Sequence, residues 1–201
     1  MRADAIVFGI AGSLFGLIIG WVLGTQNAAG TARVAAPVAQ TAPAPAAAPA
    51  APQPAPLDPA RVQALQAAAE KDAKDVQSRV QLGNMFFDAE QYPQSISWYE
   101  QAIALNPADT NVSTDLGVAY YYTNQPDRAL AQFDKSLATD PKHIKTLLNV
   151  GIVRAFGKND LTGAAKAWEE VVAISPDSPE GQAAKKGLEG VKNAGAGTAG
   201  K

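Results

Sequence analysis

The chain has no cysteine and a single histidine, His143, among its 201 residues. The first absence removes disulfides, thiolate metal sites and cysteine nucleophiles; the second removes any transition-metal site built on paired imidazoles. Charge is scarce as well, at 18% of residues, and nearly balanced, with 17 Lys and Arg against 19 Asp and Glu for a formal net charge of −2. Neutralising a phosphate backbone needs a clustered basic surface, so nucleic acid is not an expected partner. No serine or pair of acids is placed for catalysis, and acids such as Asp127 and Asp160 read as turn residues. The expectation is a protein that is not an enzyme and carries no cofactor and no metal. Two patterns imitate chemistry without its context. Gly195 to Lys201 has phosphate-loop spacing but lacks the preceding strand, and Asn111-Val112-Ser113 spells a glycosylation acceptor on what reads as helix surface.

Composition divides the chain into three zones. Ala5 to Leu23 is a run of 19 uncharged, almost wholly apolar residues, about 28 Å as a helix against a hydrocarbon layer of similar thickness. Residues 1–24 therefore read as a single transmembrane anchor. Arg2 ahead of the run puts the N-terminus on the cytoplasmic side and the rest of the chain outside the cytoplasm, in a periplasm if the cell has one. The rival reading is a signal peptide, with small residues Ala28, Gly30 and Ala32 near a cleavage point and a secreted product once residues 1–30 are lost. Within the run Gly12, Gly16, Gly20 and Gly24 recur every four residues and leave one helix face bare. Such a face lets two membrane helices pair closely, which points to a homodimer. Residues 25–57 are rich in Ala and Pro, with prolines at Pro37, Pro43, Pro45, Pro49, Pro52, Pro54 and Pro56 and the lone charge of Arg33. Proline at that density blocks helix and favours the extended polyproline form, so this segment reads as a disordered, semi-rigid linker with a reach of roughly 100 Å.

The third zone, 58–192, is periodic. Leu82-Gly83-x-x-Phe86, Leu116-Gly117-x-x-Tyr120 and Val150-Gly151-x-x-Arg154 recur 34 positions apart. Each is followed by a small residue and an aromatic, Ser95-x-x-x-Tyr99, Ala129-x-x-x-Phe133 and Ala164-x-x-x-Trp168, and each unit closes on a proline, Pro107, Pro141 and Pro176. The third unit carries one inserted residue in its internal turn. Apolar residues fall at helical spacing, as in Ile96, Tyr99, Ile103 and in Leu130, Phe133, Leu137. The pattern resembles the tetratricopeptide repeat. That resemblance implies an all-α solenoid of helical hairpins, with repeats at about 76–109, 110–143 and 144–178 that bury together a core none could bury alone. Asp58-Pro59 starts a helix ahead of the first repeat and Pro179 opens one after the third, ending near Lys192; both read as caps. Residues 193–201 are glycine-rich and read as a disordered tail.

The resemblance also implies where a protein or peptide ligand binds, since the first helices of such repeats line a concave groove. The groove positions are Gln77, Val80, Asn84, Phe87 and Asp88, then Asn111, Thr114, Val118, Tyr121 and Tyr122, then Lys145, Leu148, Ile152 and Phe156. The floor is mostly apolar and aromatic. Related repeats that clamp a C-terminal carboxylate use two asparagines and three basic residues; here Asn84 and Lys145 remain, while Val80, Asp115 and Asn149 hold the other places, and an acid in the middle repels that ligand. Charge is uneven along the array, acidic from Val76 to Asp115 and basic from Pro141 to Lys192. Arg154 stands where the repeat has an aromatic, with Glu169 or Glu170 as expected acceptors or its head in water. The functional expectation is a membrane-anchored scaffold for protein–protein interaction or complex assembly in the cell envelope. The alternative comes from Thr146 to Pro176, which is similar to the extracytoplasmic repeat domains that assist cytochrome c and nitrite-reductase haem assembly by holding an apoprotein's C-terminal helix. The glycine seam is directly testable: replacing Gly16 and Gly20 by Leu abolishes crosslinking of a dimer in detergent, and a double variant that crosslinks like wild type removes the idea.

Overall fold

A computed structural model describes residues 54–198, and the structural statements below concern these residues alone. The membrane run, its glycine seam at Gly12, Gly16, Gly20 and Gly24, and the linker up to Gln53 lie outside them. Among the described residues are eight helices and no strand: α1 Pro59–Lys71, α2 Val76–Asp88, α3 Tyr92–Leu105, α4 Thr110–Tyr122, α5 Pro126–Thr139, α6 Ile144–Ile152, α7 Leu161–Ile174 and α8 Pro179–Thr198. None of them is long and apolar enough to cross a membrane. The all-α hairpin architecture follows the repeat period, with pairs α2/α3, α4/α5 and α6/α7 between the outer helices α1 and α8.

Local chemistry sets the helix starts. Asp58, Asp75, Asp109 and Asp160 sit at N-caps with side-chain oxygens accepting backbone N–H groups of the first turn. The hydroxyl and amide of Ser78 hold the Asp75 carboxyl below its ordinary range, assisted by the charge of Arg79. The second helices α3 and α5 begin instead with proline in the first turn, where a missing N–H costs nothing. Between the helices of each hairpin one residue turns the chain through a left-handed conformation: Glu90 at φ 56°, Asn124 at φ 59° and Asn159 at φ 54°. The spacing of these three grows from 34 to 35, so the inserted residue lies before Asn159. It is absorbed as a π-helical turn, Val153–Gly157, that continues α6.

Packing repeats one contact three times. Tyr99 lies on Gly83, Phe133 on Gly117 and Trp168 on Gly151, so closely that a Cβ at any of these glycines would collide with the ring. Around them runs a core of Tyr99, Leu116, Tyr120, Phe133, Val150 and Val153, continued at the C-terminal side by Leu147, Ala164, Trp168, Val171 and Ala184. The outer helices are tied differently. Buried Arg79 donates from Nη1 to the carbonyls of Asp75 at 2.6 Å and Asp72 at 3.3 Å, and from Nη2 to Ala69 O at 3.0 Å. It thereby satisfies the C-terminal end of α1, and charged bonds of this kind contribute about 1.5–3 kcal/mol. At the other end, Gly187 of α8 packs on the same Trp168 ring. Helix α8 reaches Thr198 instead of ending near Lys192, a correction to the expected tail: alanines alternate with the glycines and no proline stops the helix.

Ser95 is fully enclosed and its hydroxyl has no hydrogen-bond partner, while the equivalent positions hold Ala129 and Ala164. Ser95→Ala therefore raises stability by about 1 kcal/mol, read as a higher urea midpoint at unchanged slope; a drop in midpoint contradicts an unpaired hydroxyl. All five tyrosines, Tyr92, Tyr99, Tyr120, Tyr121 and Tyr122, are raised above the usual phenol value of 10.0, each chiefly by burial, and Tyr92 and Tyr120 are pushed up to about 12. Above pH 10 the unfolded chain sheds protons that the folded chain keeps, so stability is full below that value and is lost as pH rises toward 12. Tyrosinate absorbance should climb late in the native protein and near the ordinary value in urea; coincident titrations would show these rings to be solvated.

Candidate functional site

The first helices α2, α4 and α6 carry the expected groove positions, and the structure sorts them into three kinds. Val80, Val118, Leu148 and Ile152 are half-buried, packed on the core beneath and open on the other side. They form an apolar floor. Asn84 is exposed, with Oδ1 accepting the Tyr99 hydroxyl at 2.6 Å, so its acceptor is committed to the hairpin. Thr114 is the plain correction: it is fully buried, its Oγ1 lying 2.6 Å from Thr146 Oγ1, and it offers no surface to a ligand. Helical spacing puts Thr114 on the inner side of α4, but α6 approaches there through a polar contact that spacing does not reveal.

That contact belongs to a short polar ladder between α4 and α6. His143 stands at the N-cap position of α6, and its ring reaches both Thr146 Oγ1, 2.7 Å from Nδ1, and Asn111 Oδ1, 3.2 Å from Nε2. Lys145 Nζ donates to Asp115 at 2.7 Å, again from one first helix to the next. The acid expected to repel a carboxylate ligand is thus neutralised by the very lysine that would have received one.

The aromatic candidates separate. Phe87 meets Tyr122 edge-on at 5.8 Å between centroids and Tyr92 at 5.4 Å, while Tyr92 and Tyr122 stack at 4.8 Å with planes 9° apart. Tyr122 keeps 52% of its surface exposed, and burial of its stacked side raises its hydroxyl pKa. Tyr92 was not among the sequence candidates, because it opens a second helix; its place directly after the left-handed turn at Glu90 is the signal that brings it beside α4. Tyr121, by contrast, half faces the core, and the Gly157 backbone sits so close to its ring and to Pro126 that an added Cβ would come within 3.2 Å and 3.0 Å of them. One side of its ring packs at the junction between repeats two and three, and the other stays partly exposed. Phe156 is 61% exposed at the π-helical turn, which hands its neighbour Ala155 to the core.

Arg154, the odd residue of the third repeat, does not engage Glu169 or Glu170. Its Nη1 donates to Asp160 Oδ2 at 2.8 Å, with both side chains partly in water. Asp160 also caps α7 through the Gly163 amide, and these two donors, the amide first, hold its carboxyl below the ordinary range.

Comparison with known proteins agrees with this architecture. The family patterns described as TPR repeat and tetratricopeptide repeat match residues 83–124 and 114–179. The chain is 28% identical over 110 residues to the heat-shock protein cognate co-chaperone sgt12 of Aspergillus fumigatus, covering 55% of this chain but only 32% of the relative's length. Among solved structures it is similar to the Sgt2 TPR domain of Aspergillus fumigatus, with a TM-score of 0.54 at 26% identity over 60% of this chain and 78% of that one. The first TPR domain of Spaghetti, solved with the Hsp90 peptide SRMEEVD, shares the fold at a TM-score of 0.56 and 22% identity, over 62% of this chain and 96% of that one. With its glycine-and-ring hairpins stacked as in these domains, residues 83–179 of the chain are tetratricopeptide repeats.

Proposed function

We propose that this chain is a non-catalytic scaffold that holds a protein partner on the face of its first helices, anchored in the cell envelope by residues 1–24 and held off the membrane by the linker. A role in protein–protein interaction is the common use of the fold. The observation that carries the finer reading is the half-exposed Tyr122, stacked on Tyr92 and flanked by Phe87 beside the apolar floor of Val80, Val118, Leu148 and Ile152. Rigid aromatic rings give large contact area at small entropic cost, which is why such residues anchor interfaces.

The chemistry of this face favours an apolar segment, such as one side of an amphipathic helix, over an acidic C-terminal tail. Peptides of the second kind are what the Spaghetti domain was solved with. Here the face has Val80 in place of a base, a carboxylate at Asp115, and its one lysine, Lys145, already paired with that carboxylate. An apolar helix is also the ligand of the haem-assembly reading, which stays within this proposal as one identity for the partner. The membrane anchor and the glycine-mediated dimer are parts of the same proposal.

The test uses the full chain in detergent. A photocrosslinking residue at position 122 captures a defined partner, and Tyr122→Ala weakens that partner by roughly thirtyfold, the effect of about 2 kcal/mol. The melting temperature moves by only a few degrees, because the ring is half in water. The peptide SRMEEVD shows no saturable binding below about 1 mM, a free energy of about −4 kcal/mol. Tight binding of that peptide, or a Tyr122→Ala protein that captures its partner unchanged, overturns the assignment of this face.

A further inference from the structure

The two junctions between repeats are built from equivalent positions, and only one of them is filled. At the first, the Tyr120 ring of α4 is buried between the second helices α3 and α5, and its hydroxyl donates to Glu100 Oε1 at 2.6 Å. The Arg128 guanidinium covers it, 4.0 Å from the ring centroid, with Nη2 donating to the Tyr120 oxygen at 2.9 Å and to Glu100 at 3.1 Å. One phenol, one acid to receive its proton and one guanidinium close that notch.

At the second junction each partner is changed. Arg154 stands 34 residues after Tyr120 and Asp134 stands 34 after Glu100; past the insertion, Gly163 stands 35 after Arg128. Arg154 pairs with Asp160 along the wall of this junction and buries no ring there, and Gly163 has no side chain to cover anything. What remains is an open notch of about 490 Å³ between α5, α6 and α7, floored by Leu137, Leu147, Val150 and Ala167, with the Arg154–Asp160 pair, Thr162 and Lys166 on its walls and Asp134 and Glu170 at its rim. That volume falls within the roughly 300–1,000 Å³ of ligand sites. The acid survives where the ring does not.

We propose that this notch is a second docking site, separate from the first-helix face, that receives the tyrosine side chain of a protein partner. The incoming ring lies on Leu137, Val150 and Ala167 as Tyr120 lies in its own notch, and its hydroxyl donates to the Asp134 carboxylate as Tyr120 donates to Glu100. The cavity has room for more than one ring, so the tyrosine enters with part of its own backbone. The proposal does not depend on the reading of the first-helix face, whose aromatic residues lie on other helix faces.

The test uses the full chain in detergent with methyl-labelled side chains and p-cresol, the tyrosine side chain as a free molecule. Saturable shifts are expected at Leu137, Leu147 and Val150 with a dissociation constant of about 1–10 mM, as befits so small a ligand. The peptide Gly-Gly-Tyr-Gly-Gly binds severalfold more tightly at the same methyls, and toluene, which lacks the hydroxyl, severalfold less. Arg154→Tyr rebuilds the filled junction and abolishes binding of p-cresol; Asp134→Asn, at an exposed position that does not threaten folding, weakens p-cresol severalfold and leaves toluene unchanged. No shift at these methyls, toluene as tight as p-cresol, or Asp134→Asn without effect each overturn the proposal. So does a dimer in solution that Tyr122→Ala dissociates with the loss of pre-existing notch shifts, since the occupant is then a second copy of this chain.

Discussion

Every hairpin of this array is held by an aromatic ring lying on a position that has no side chain. Tyr99, Phe133 and Trp168 come from the second helices and rest on Gly83, Gly117 and Gly151 of the first, closer than any Cβ permits. The contact fixes the distance between paired helices, and with it the rotation that decides which residues face the core and which face solvent. It also determines what the polar ends of the rings can reach. The Tyr99 hydroxyl finds Asn84, whereas Trp168 Nε1 donates to the backbone carbonyl of Leu148 at 3.1 Å, so the third hairpin borrows an acceptor from a helix already disturbed by its π-helical turn. Because Gly187 of α8 packs on the same indole, the C-terminal helix depends on that ring too. Substituting any of these glycines moves an entire hairpin, since the atoms in the way belong to a buried ring and not to the flexible end of a side chain.

The inserted residue of the third repeat shows how strongly that contact governs the rest. A chain with one residue too many must lose register somewhere, and the loss is confined to Val153–Gly157. Upstream, Gly151 keeps Trp168; downstream, Asn159 keeps the left-handed turn and Ala164 its enclosed place. The excess is spent between them, where it exposes Phe156, buries Ala155 and places Gly157 against Tyr121 and Pro126. The ion pair of Lys158 with Asp127, 2.6 Å between exposed side chains, bridges the same junction at small energetic value. The open notch beside Arg154 therefore lies at the one junction where both the ring and the regular helix are missing.

This division explains what could be read from the residues alone. The period, the glycine and ring pairs, the capping acids and the starts of α1 and α8 are local, and a local rule leaves a local mark. Helical spacing also tells which side of a helix a residue occupies. It does not tell how near the next helix comes, and that is where Thr114 departs from the groove and Tyr121 is partly covered: α6 closes on the first through a hydroxyl pair, and the π-helical turn approaches the second through Gly157. Arg79 was legible only as a charge, because its three acceptors are backbone carbonyls of another helix and its neighbouring loop. Arg154 is visible in the sequence as an irregularity, yet its partner Asp160 lies beyond a turn whose shape depends on the insertion.

The electrostatics of the first-helix face favour selection by shape over selection by charge. Lys145 and Asp115 leave the middle of that face neutral, and their side chains remain 45% and 29% exposed. A pair so placed contributes about 0–1 kcal/mol, so a ligand loses little by displacing it and gains little by choosing either sign. A basic group would release Lys145 to water and an acidic group would release Asp115, with nearly equal consequence. Discrimination must then come from groups that a wrong ligand cannot satisfy at all: the half-covered rings of Phe87, Tyr92 and Tyr122, and the floor of Val80, Val118, Leu148 and Ile152, whose exposed apolar area is covered only by a segment carrying apolar side chains at matching intervals.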